Sequence, residues 1–298
     1  MTSRTSYRDL VTLVTPCFNT EGYVAHLLDS VLSQTWPEIQ MIVVDDGSTD
    51  GSAAVVESYA AGFEDRGYSL TLLRQDNQGQ ASAIRNALPL VKGKYLAWPD
   101  SDDFYSSPEA IEKMVYAMRR TGCPAARVQK RKIDDATRET VEIQGLDAPE
   151  IVGATLFDDC IRDRNGWYHC AGGYMVESSI LRDETGMEIY APKGAGQNWQ
   201  LLLPVLYGRS CVTVKEPLYT VVLRQGSHCR PAAFTFGWKM RRSLLFENVL
   251  IHTVLGIRSM PAREKMRYAA YAVIHGAAER AYIIFCTVRH EMKMIIEG

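Results

Sequence analysis

Short apolar runs alternate with segments of helical periodicity in the first third of the chain. Four runs have the length and β-branched character of buried strands, namely 11–14, 39–44, 70–73 and 95–98. Apolar residues at helical spacing follow the first three runs, over 23–33, 53–60 and 81–88. Strands that alternate with helices of this length predict an α/β fold, with a mostly parallel, Rossmann-like sheet flanked by helices and joined by right-handed crossovers.

The pattern changes after residue 235. Long helical stretches replace the alternation of strands and helices, and a break at 259–261 divides them. The sequence therefore predicts one α/β domain over 1–235 and a helical C-terminal extension over 236–298.

Acidic side chains follow two of the predicted strands. Asp45 and Asp46 come after the second strand, and Asp100, Asp102 and Asp103 fall within four positions after the fourth. Because the carboxyl ends of parallel strands meet at one edge of a sheet, we expect both groups at the same edge. Like charges this close repel, so a divalent cation between their oxygens would stabilise the second group. The alternative for each loop is an acidic turn that caps a helix.

The composition of the chain indicates a large core and limits the classes of molecule that it could bind. The chain of 298 residues is 46% hydrophobic and 23% charged, enough to bury a large core. Its net charge of −2, without a basic motif interleaved with aromatic residues, argues against nucleic acid as a partner.

Charge is uneven along the chain. The residues from 236 onward hold ten Lys or Arg against five Glu. This surplus suits helices that contact anionic lipid headgroups at a membrane surface. The alternative is helices that pack on the α/β domain, or on another subunit in a homo-oligomer, through the apolar residues Tyr271, Ile274, Tyr282 and Phe285.

Cysteine usage and the absence of a targeting signal indicate the compartment. Seven cysteines without a Cys-x-x-Cys spacing disfavour both a disulfide framework and a structural zinc site. No signal peptide opens the sequence, and no apolar run approaches the roughly 20 residues that span a bilayer. We expect a cytoplasmic protein, with peripheral contact at the inner face of the membrane.

Five segments carry a resemblance to a known family: 14–21, 28–36, 43–51, 77–79 with 83–86, and 93–103. In order and spacing they resemble the family 2 glycosyltransferases, which have the GT-A fold and invert the anomeric centre in a single displacement. The resemblance implies a nucleotide-binding half over about 8–130 and an acceptor half over about 131–235. It also implies transfer of a sugar from a nucleotide diphosphate, which we expect to be UDP, to a glycan or lipid-linked acceptor in cell-surface polysaccharide assembly.

The resemblance implies roles for individual positions. The expected donor site consists of Thr15, Pro16, Asn19, Asp46, Gln78, Gly79, Arg85, Asp100 and Ser101. Within it, Asp46 matches the carboxylate that hydrogen-bonds a uracil-type base, and Asp100 matches the carboxylate on the ribose side. Asp102 matches the ligand of a Mn²⁺ or Mg²⁺ ion, and Asp103 is assigned to the catalytic set as its partner.

One position departs from the family pattern. Gln197 and Asn198 stand where most members have an acidic pair, the second of which is the catalytic base. An amide cannot accept a proton at neutral pH, so Asn198 can only orient substrate by hydrogen bonds. Loss of a general base slows a reaction by about 10²- to 10⁴-fold. The alternatives are a catalytically impaired partner subunit that binds a nucleotide sugar, and a sugar nucleotidyltransferase, for which a glycine-rich phosphate loop with an arginine is missing.

A second set of candidate catalytic and phosphate-binding residues lies near the end of the predicted α/β domain. The strand-like run 218–223 leads into a basic loop that resembles the segment covering the diphosphate in related enzymes. We expect His228 to ligate the metal or to assist proton transfer, and Arg224 and Arg230 to contact phosphate oxygens. The alternative is an ordinary surface loop. The donor sugar, the linkage and the oligomeric state are not readable from the sequence.

Overall fold

The computed structural model describes residues 9–165, 171–224 and 235–297. The first four strands lie where the apolar runs predict them: β1 (Val11–Cys17), β2 (Ile39–Asp45), β3 (Ser69–Arg74) and β4 (Tyr95–Ala97). They pair in parallel in the order β3-β2-β1-β4. Every residue of β1, β2 and β4 is buried, which explains their continuous apolar character.

Helices connect these parallel strands. They are α1 (Val24–Leu32), α2 (Ser52–Ser58), α3 (Ala60–Asp65) and α4 (Gln80–Ala87), followed by a 3-10 turn at Leu88–Leu90. The buried face of α1 consists of Val24, Leu27, Leu28 and Val31, which recur at the spacing of one helix face. The three predicted helices are confirmed to within two residues.

The second half of the sheet is mixed rather than parallel. Its elements are β5 (Phe104–Tyr105), α5 (Ala110–Thr121), β6 (Ala125–Asp134), β7 (Thr140–Gln144), β8 (Ile151–Val152), α6 (Thr155–Arg162), β9 (Tyr174–Glu177), α7 (Ser178–Thr185), α8 (Asn198–Leu206) and β10 (Cys211–Leu223). The complete order is β3-β2-β1-β4-β9-β6-β10-β5, with β7 paired to β6 and β8 to β10. β9 runs antiparallel to both β4 and β6, whereas β10 is parallel to β6. The α/β prediction is confirmed, and its parallel pairing holds for the first four strands.

The segment 98–103, called the acidic loop below, is held at both of its ends by the sheet. It leaves β4 near the centre and enters β5 at the far edge. β5 pairs antiparallel with β10, placing Phe104 opposite Thr220 and Tyr105 opposite Tyr219. The acidic loop therefore crosses the carboxyl edge of the sheet with both ends fixed.

Two long helices complete the chain, α9 (Phe236–Gly256) and α10 (Ala262–Glu297). The predicted break at 259–261 is confirmed, since it falls in the turn between them. Glu184 on α7 anchors this turn by accepting hydrogen bonds from the Ser259 backbone N–H at 2.9 Å and from the Ser259 hydroxyl at 2.7 Å. Arg209 pairs with the same carboxylate at 2.7 Å.

The helical extension shares one hydrophobic core with the α/β part, because Val249, Val254 and Tyr268 belong to the same buried cluster as the strands. The division of the chain at residues 235 and 236 therefore stays a prediction. Within the described parts of the chain, no helix combines the length and apolar character needed to cross a bilayer.

Candidate functional site

The loops after β1, β2 and β4 converge at the carboxyl edge of the sheet, as the strand pattern predicts. Thr20 connects all three loops. Its backbone N–H donates to the Ser52 hydroxyl at 2.8 Å, and its own hydroxyl donates to the Ser101 hydroxyl at 3.2 Å. Ser101, a predicted donor-site residue, is therefore buried within the junction of these loops. Thr20 itself was not among the predicted residues.

Asn19 shapes the first loop through its backbone and its side chain. Its φ of +50° lies in the left-handed region that asparagine tolerates better than most residues. The side-chain oxygen accepts a hydrogen bond from the Thr49 backbone N–H at 2.8 Å, and the Asn19 N–H donates to the Ser48 hydroxyl at 3.1 Å. Asn19 thus joins the loops after β1 and β2.

Asp46 organises the loop that leads into α4. Its buried carboxylate accepts hydrogen bonds from Gln75 Nε2 at 2.7 Å, from the Gln78 backbone N–H at 2.8 Å and from the Gly79 backbone N–H at 2.7 Å. A carboxylate offers about four acceptor positions, so these three donors leave about one open. The open position can serve a single N–H donor of a ligand.

Thr15 and Pro16 lie at the end of β1, opposite Val43 and Val44 of β2. Thr15 is fully buried, yet its hydroxyl has no hydrogen-bond partner among the described residues. Buried hydroxyls are normally paired, but this one has no accessible surface, so the place of Thr15 in the donor site stays a prediction.

Gly79 occupies a position that only glycine fits well. Its φ is +94°, and a Cβ there would lie 3.2 Å from the backbone nitrogen of Gly194. The Gln78 side-chain oxygen accepts from the Ser82 hydroxyl at 3.2 Å, and Arg85 Nη2 lies 3.5 Å from the same hydroxyl. The structure therefore brings Gln78, Gly79 and Arg85 together at the start of α4.

Residues near the end of β10 form hydrogen bonds with the acidic loop. The Asp100 backbone N–H donates to the Tyr219 hydroxyl at 3.1 Å, and the Asp103 carboxylate accepts from the Val222 backbone N–H at 3.0 Å. Asp103 is buried and directed at the backbone of β10. This placement gives Asp103 a structural role, and its assignment to the catalytic set stays a prediction.

The carboxyl groups of the acidic loop are electrostatically unfavourable together. Burial, followed by the nearby charge of Asp102, raises the pKa of Asp100 to about 7. Burial, followed by the charges of Asp102 and Asp100, raises the pKa of Asp103 well above its ordinary value. Lys130, buried on β6, offsets part of this effect. Additional positive charge would stabilise the acidic loop.

Asp102 has a carboxylate that a cation can reach, since its side chain is 21% exposed and Arg224 Nε donates to it at 2.7 Å. Across 9–165, 171–224 and 235–297, no three His, Cys, Asp or Glu side chains converge as a metal-ligand set. Mg²⁺ and similar ions commonly use one or two protein carboxylates and take further ligands from substrate phosphates. The residues present fit an ion shared between Asp102 and a phosphorylated ligand.

Arg224 is held at the end of β10 on two sides. One side is the ion pair with Asp102, and the other is the ring of Tyr23, whose centroid lies 5.1 Å from the guanidinium carbon. The Tyr23 hydroxyl donates to Asp135 at 2.6 Å, and this hydrogen bond raises the pKa of Tyr23. Arg224 thus provides a positive group beside the Asp102 carboxylate.

Asn198 is the first residue of α8, and its side-chain oxygen accepts a hydrogen bond from the Trp98 indole N–H at 2.8 Å. Trp98 is buried directly after β4, so a core residue fixes Asn198 beside the acidic loop. Gln197 is also buried, and its side-chain oxygen has no hydrogen-bond donor among the described residues. The contacts of Trp98, Tyr219 and Lys130 with the site were not predicted from the sequence, because residues of these types in or next to strands are also typical of an ordinary core or edge. His228 and Arg230 lie outside the described residues.

Comparison with known sequences identifies a family match. The profile of "Glycosyl transferase family 2" matches residues 12–177. The putative teichuronic acid biosynthesis glycosyltransferase TuaG of Bacillus subtilis (strain 168) is 33% identical over 117 residues, which are 39% of this chain and 45% of TuaG. Glycosyltransferase GlyA of Streptococcus pneumoniae serotype 4 is 33% identical over 96 residues, which are 32% of this chain and 13% of GlyA. The matches therefore span less than half the length of these relatives.

Comparison with solved structures supports the same fold. S. aureus TarS 1–349 in complex with UDP-GlcNAc superposes with a TM-score of 0.66 at 20% identity, covering 89% of this chain and 71% of TarS 1–349. The mannosyltransferase PcManGT from Pyrobaculum calidifontis, in complex with GDP-Man and Mn²⁺, gives a TM-score of 0.56 at 17% identity, covering 95% of this chain and 76% of PcManGT. The predicted GT-A fold is confirmed.

Because Asp46 accepts three hydrogen bonds within its loop, Asp46→Asn should lower the stability of the protein. The amide nitrogen would face a backbone N–H in place of an acceptor, so we expect the free energy of unfolding to fall by about 2 kcal/mol. Hydrogen exchange at the Gly79 amide should accelerate in the same variant. Asp76→Asn, an exposed change in the same loop, is the control. Equal stability in urea and unchanged exchange at Gly79 would contradict this role.

Proposed function

The chain belongs to glycosyl transferase family 2, and from that membership we propose that it transfers a sugar from a UDP-sugar to a glycan or lipid-linked acceptor in cell-surface polysaccharide assembly. One observation carries the proposal: the open acceptor position on Asp46, the acidic loop and the start of α8 meet at one edge of the sheet. The putative role of TuaG in teichuronic acid biosynthesis supports the acceptor class, and the UDP-GlcNAc bound to TarS supports the nucleotide.

The choice of uracil rests on the donors that already surround Asp46. About one acceptor position remains on its carboxylate, and the single imide N–H of uracil fits one position. Guanine presents an additional amino group next to its ring N–H, which calls for two adjacent acceptors.

The diphosphate is expected at the acidic loop. A Mn²⁺ or Mg²⁺ ion held by Asp102 would act as a Lewis acid that neutralises charge on the leaving diphosphate. Arg224 lies next to the same carboxylate and can donate hydrogen bonds to phosphate oxygens. Lys130 lowers the repulsion within the acidic loop from the opposite side. Gly79, Gln78 and Arg85 flank the phosphates from the start of α4.

The acceptor hydroxyl is expected beside Asn198. The side-chain oxygen of Asn198 is committed to Trp98, which leaves the amide N–H groups to donate to the acceptor or to the transferred sugar. Asn198 therefore orients the attacking group on the face opposite the diphosphate and does not remove its proton. His228 remains the predicted alternative base or metal ligand.

A second candidate function is favoured by the amide at this position. A partner subunit that binds a nucleotide sugar without turning it over would need the donor site and would not need a base. Binding and turnover therefore have to be measured separately.

The proposal is tested by thermal unfolding with UDP- and GDP-sugars, with and without Mn²⁺. A ligand that binds only the folded state stabilises it, by about 2.7 kcal/mol at a hundredfold excess over Kd. We expect a UDP-sugar to raise the Tm more in the presence of Mn²⁺, and Asp102→Ala to lose the Mn²⁺-dependent part.

The matched control is Asp135→Ala, which removes a carboxylate that contacts Tyr23 outside the acidic loop. It should keep the Mn²⁺-dependent stabilisation. Failure of every UDP-sugar to stabilise the chain would refute the proposed donor class. Binding without release of UDP in the presence of acceptor would favour the partner-subunit function.

The orienting role of Asn198 predicts the behaviour of Asn198→Asp. An aspartate can accept the same hydrogen bond from Trp98, so the variant should fold, with a small loss of stability from the added negative charge beside the acidic loop. We expect its rate of transfer to stay within about tenfold of the original chain. Asn198→Ala, which deletes the acceptor for the Trp98 indole, should lower both stability and rate. A rise of about a hundredfold in Asn198→Asp would show instead that a missing base limits the reaction.

A further inference from the structure

The face of α10 that points away from the domain is apolar. Among the residues that the structure describes, sixteen large apolar side chains are exposed, and ten of them lie on α9 or α10. Six of these form what we call the outward stripe of α10: Met266, Val273, Ile274, Tyr282, Ile284 and Phe285. Ile274 is 70% exposed and Phe285 is 61% exposed. Isolated apolar residues are normal on a surface, whereas a continuous stripe indicates an interaction.

The polar side chains in the middle of α10 face the opposite way. Glu279 accepts a hydrogen bond from the Ser243 hydroxyl of α9 at 2.7 Å, and Arg280 pairs with Glu247 of α9 at 2.7 Å. A surface helix usually buries its apolar face and exposes its charges. In the middle of α10 these two charged groups bond to α9, whereas the apolar residues of the outward stripe lie outside.

Arginines stand at both ends of the outward stripe. Arg263 and Arg267 are exposed beside its first residue, Met266, and Arg289 is exposed after its last residue. At 100° per residue, these three arginines project from the same half of the helix as the stripe. Three acidic residues lie near these arginines. Glu264 accepts a hydrogen bond from the Tyr207 hydroxyl at 3.1 Å and lies 3.9 Å from Arg267, and Glu279 is bonded to Ser243. The third, Glu291, follows two positions after Arg289.

This charge pattern disfavours a second copy of the chain as the occupant. Parallel pairing of two α10 helices would place Arg267 against Arg267. Antiparallel pairing centred on the stripe would place Arg263 against Arg289 of the other copy. Like charges at these positions repel, whereas a surface of anionic phosphates attracts all three arginines.

We propose that the outward stripe of α10 docks the protein on an anionic lipid bilayer. The apolar side chains enter the boundary between headgroups and acyl chains, and the flanking arginines contact lipid phosphates. Tyr282 is of the aromatic type that is enriched at membrane interfaces, and Phe285 suits the apolar face of a helix that lies in the interface. The bonds of Glu279 and Arg280 to α9 keep the opposite face of α10 attached to the domain.

The docked helices would be connected to the active site through α9. His252 of α9 stacks on Tyr190 with ring centroids 3.9 Å apart, in the segment that leads to α8. In the same segment, Lys193 Nζ donates at 3.2 Å to the carbonyl of Asn77, the residue before the predicted donor-site residue Gln78. If the proposed function holds, an acceptor with a lipid tail would be presented to this site by the same bilayer. Vesicle binding itself does not depend on that function.

The test is flotation of the full chain with vesicles of phosphatidylcholine alone and of phosphatidylcholine with phosphatidylglycerol. We expect binding to the anionic vesicles and a decrease in binding as salt rises. The double variant Ile274→Ser/Phe285→Ser should reduce the partition coefficient by about tenfold or more. The double variant Arg263→Gln/Arg289→Gln should weaken binding and reduce its salt dependence.

The matched control is Val141→Ser, which removes a side chain that is 59% exposed on β7. It should bind vesicles like the original chain. All changed side chains are exposed, so thermal unfolding and UDP-sugar stabilisation should stay unchanged, which separates this inference from the proposed function. Equal flotation of the stripe variant and the original chain would overturn the inference. A dimer that the stripe variant converts to a monomer, without vesicle binding by either, would overturn it in favour of a second copy.

Discussion

The site depends on the cost of holding three carboxyl groups close together in the acidic loop. Burial and mutual repulsion raise the pKa of two of them, and the protein offsets this cost with Lys130 behind the loop and Arg224 beside it. The loop cannot move away from this arrangement, since β4 and β5 fix its ends and β10 hydrogen-bonds its middle. Additional positive charge would stabilise the acidic loop, which lies at the edge of the sheet where the loop that carries Asp46 also lies.

The first four strands and their helices were predictable because local pattern and tertiary environment agree there. β1 and β2 are buried on both faces, so the chain needs continuous apolar runs, and parallel strands place their following loops at one edge. The contacts of Tyr219 and Val222 to the acidic loop were not predictable. They depend on the register of β10 with β6, which shifts between Val214 and Tyr219, and no periodic pattern encodes such a shift.

The C-terminal helices were also predictable from the sequence only in part. Their apolar spacing predicted helices and a break, and both are present. The apolar spacing could not indicate which face of α10 would be covered, because the deciding contacts are ion pairs such as Arg280 with Glu247. Tyr271 packs against the core, as one interpretation of the sequence expected, whereas Ile274, Tyr282 and Phe285 remain exposed. The amide at Asn198 was readable from the sequence, but its fixation by a core tryptophan was not.

These features combine into one proposal, in which the acidic loop holds a divalent cation that would bind the diphosphate of an activated sugar. Cation binding at Asp102 is tested most directly by anomalous diffraction at the manganese edge from crystals grown with UDP and Mn²⁺. The account predicts one manganese ion bonded to a carboxylate oxygen of Asp102 and to the diphosphate. Manganese bound elsewhere, with Asp102 still paired to Arg224 and facing solvent, would contradict it.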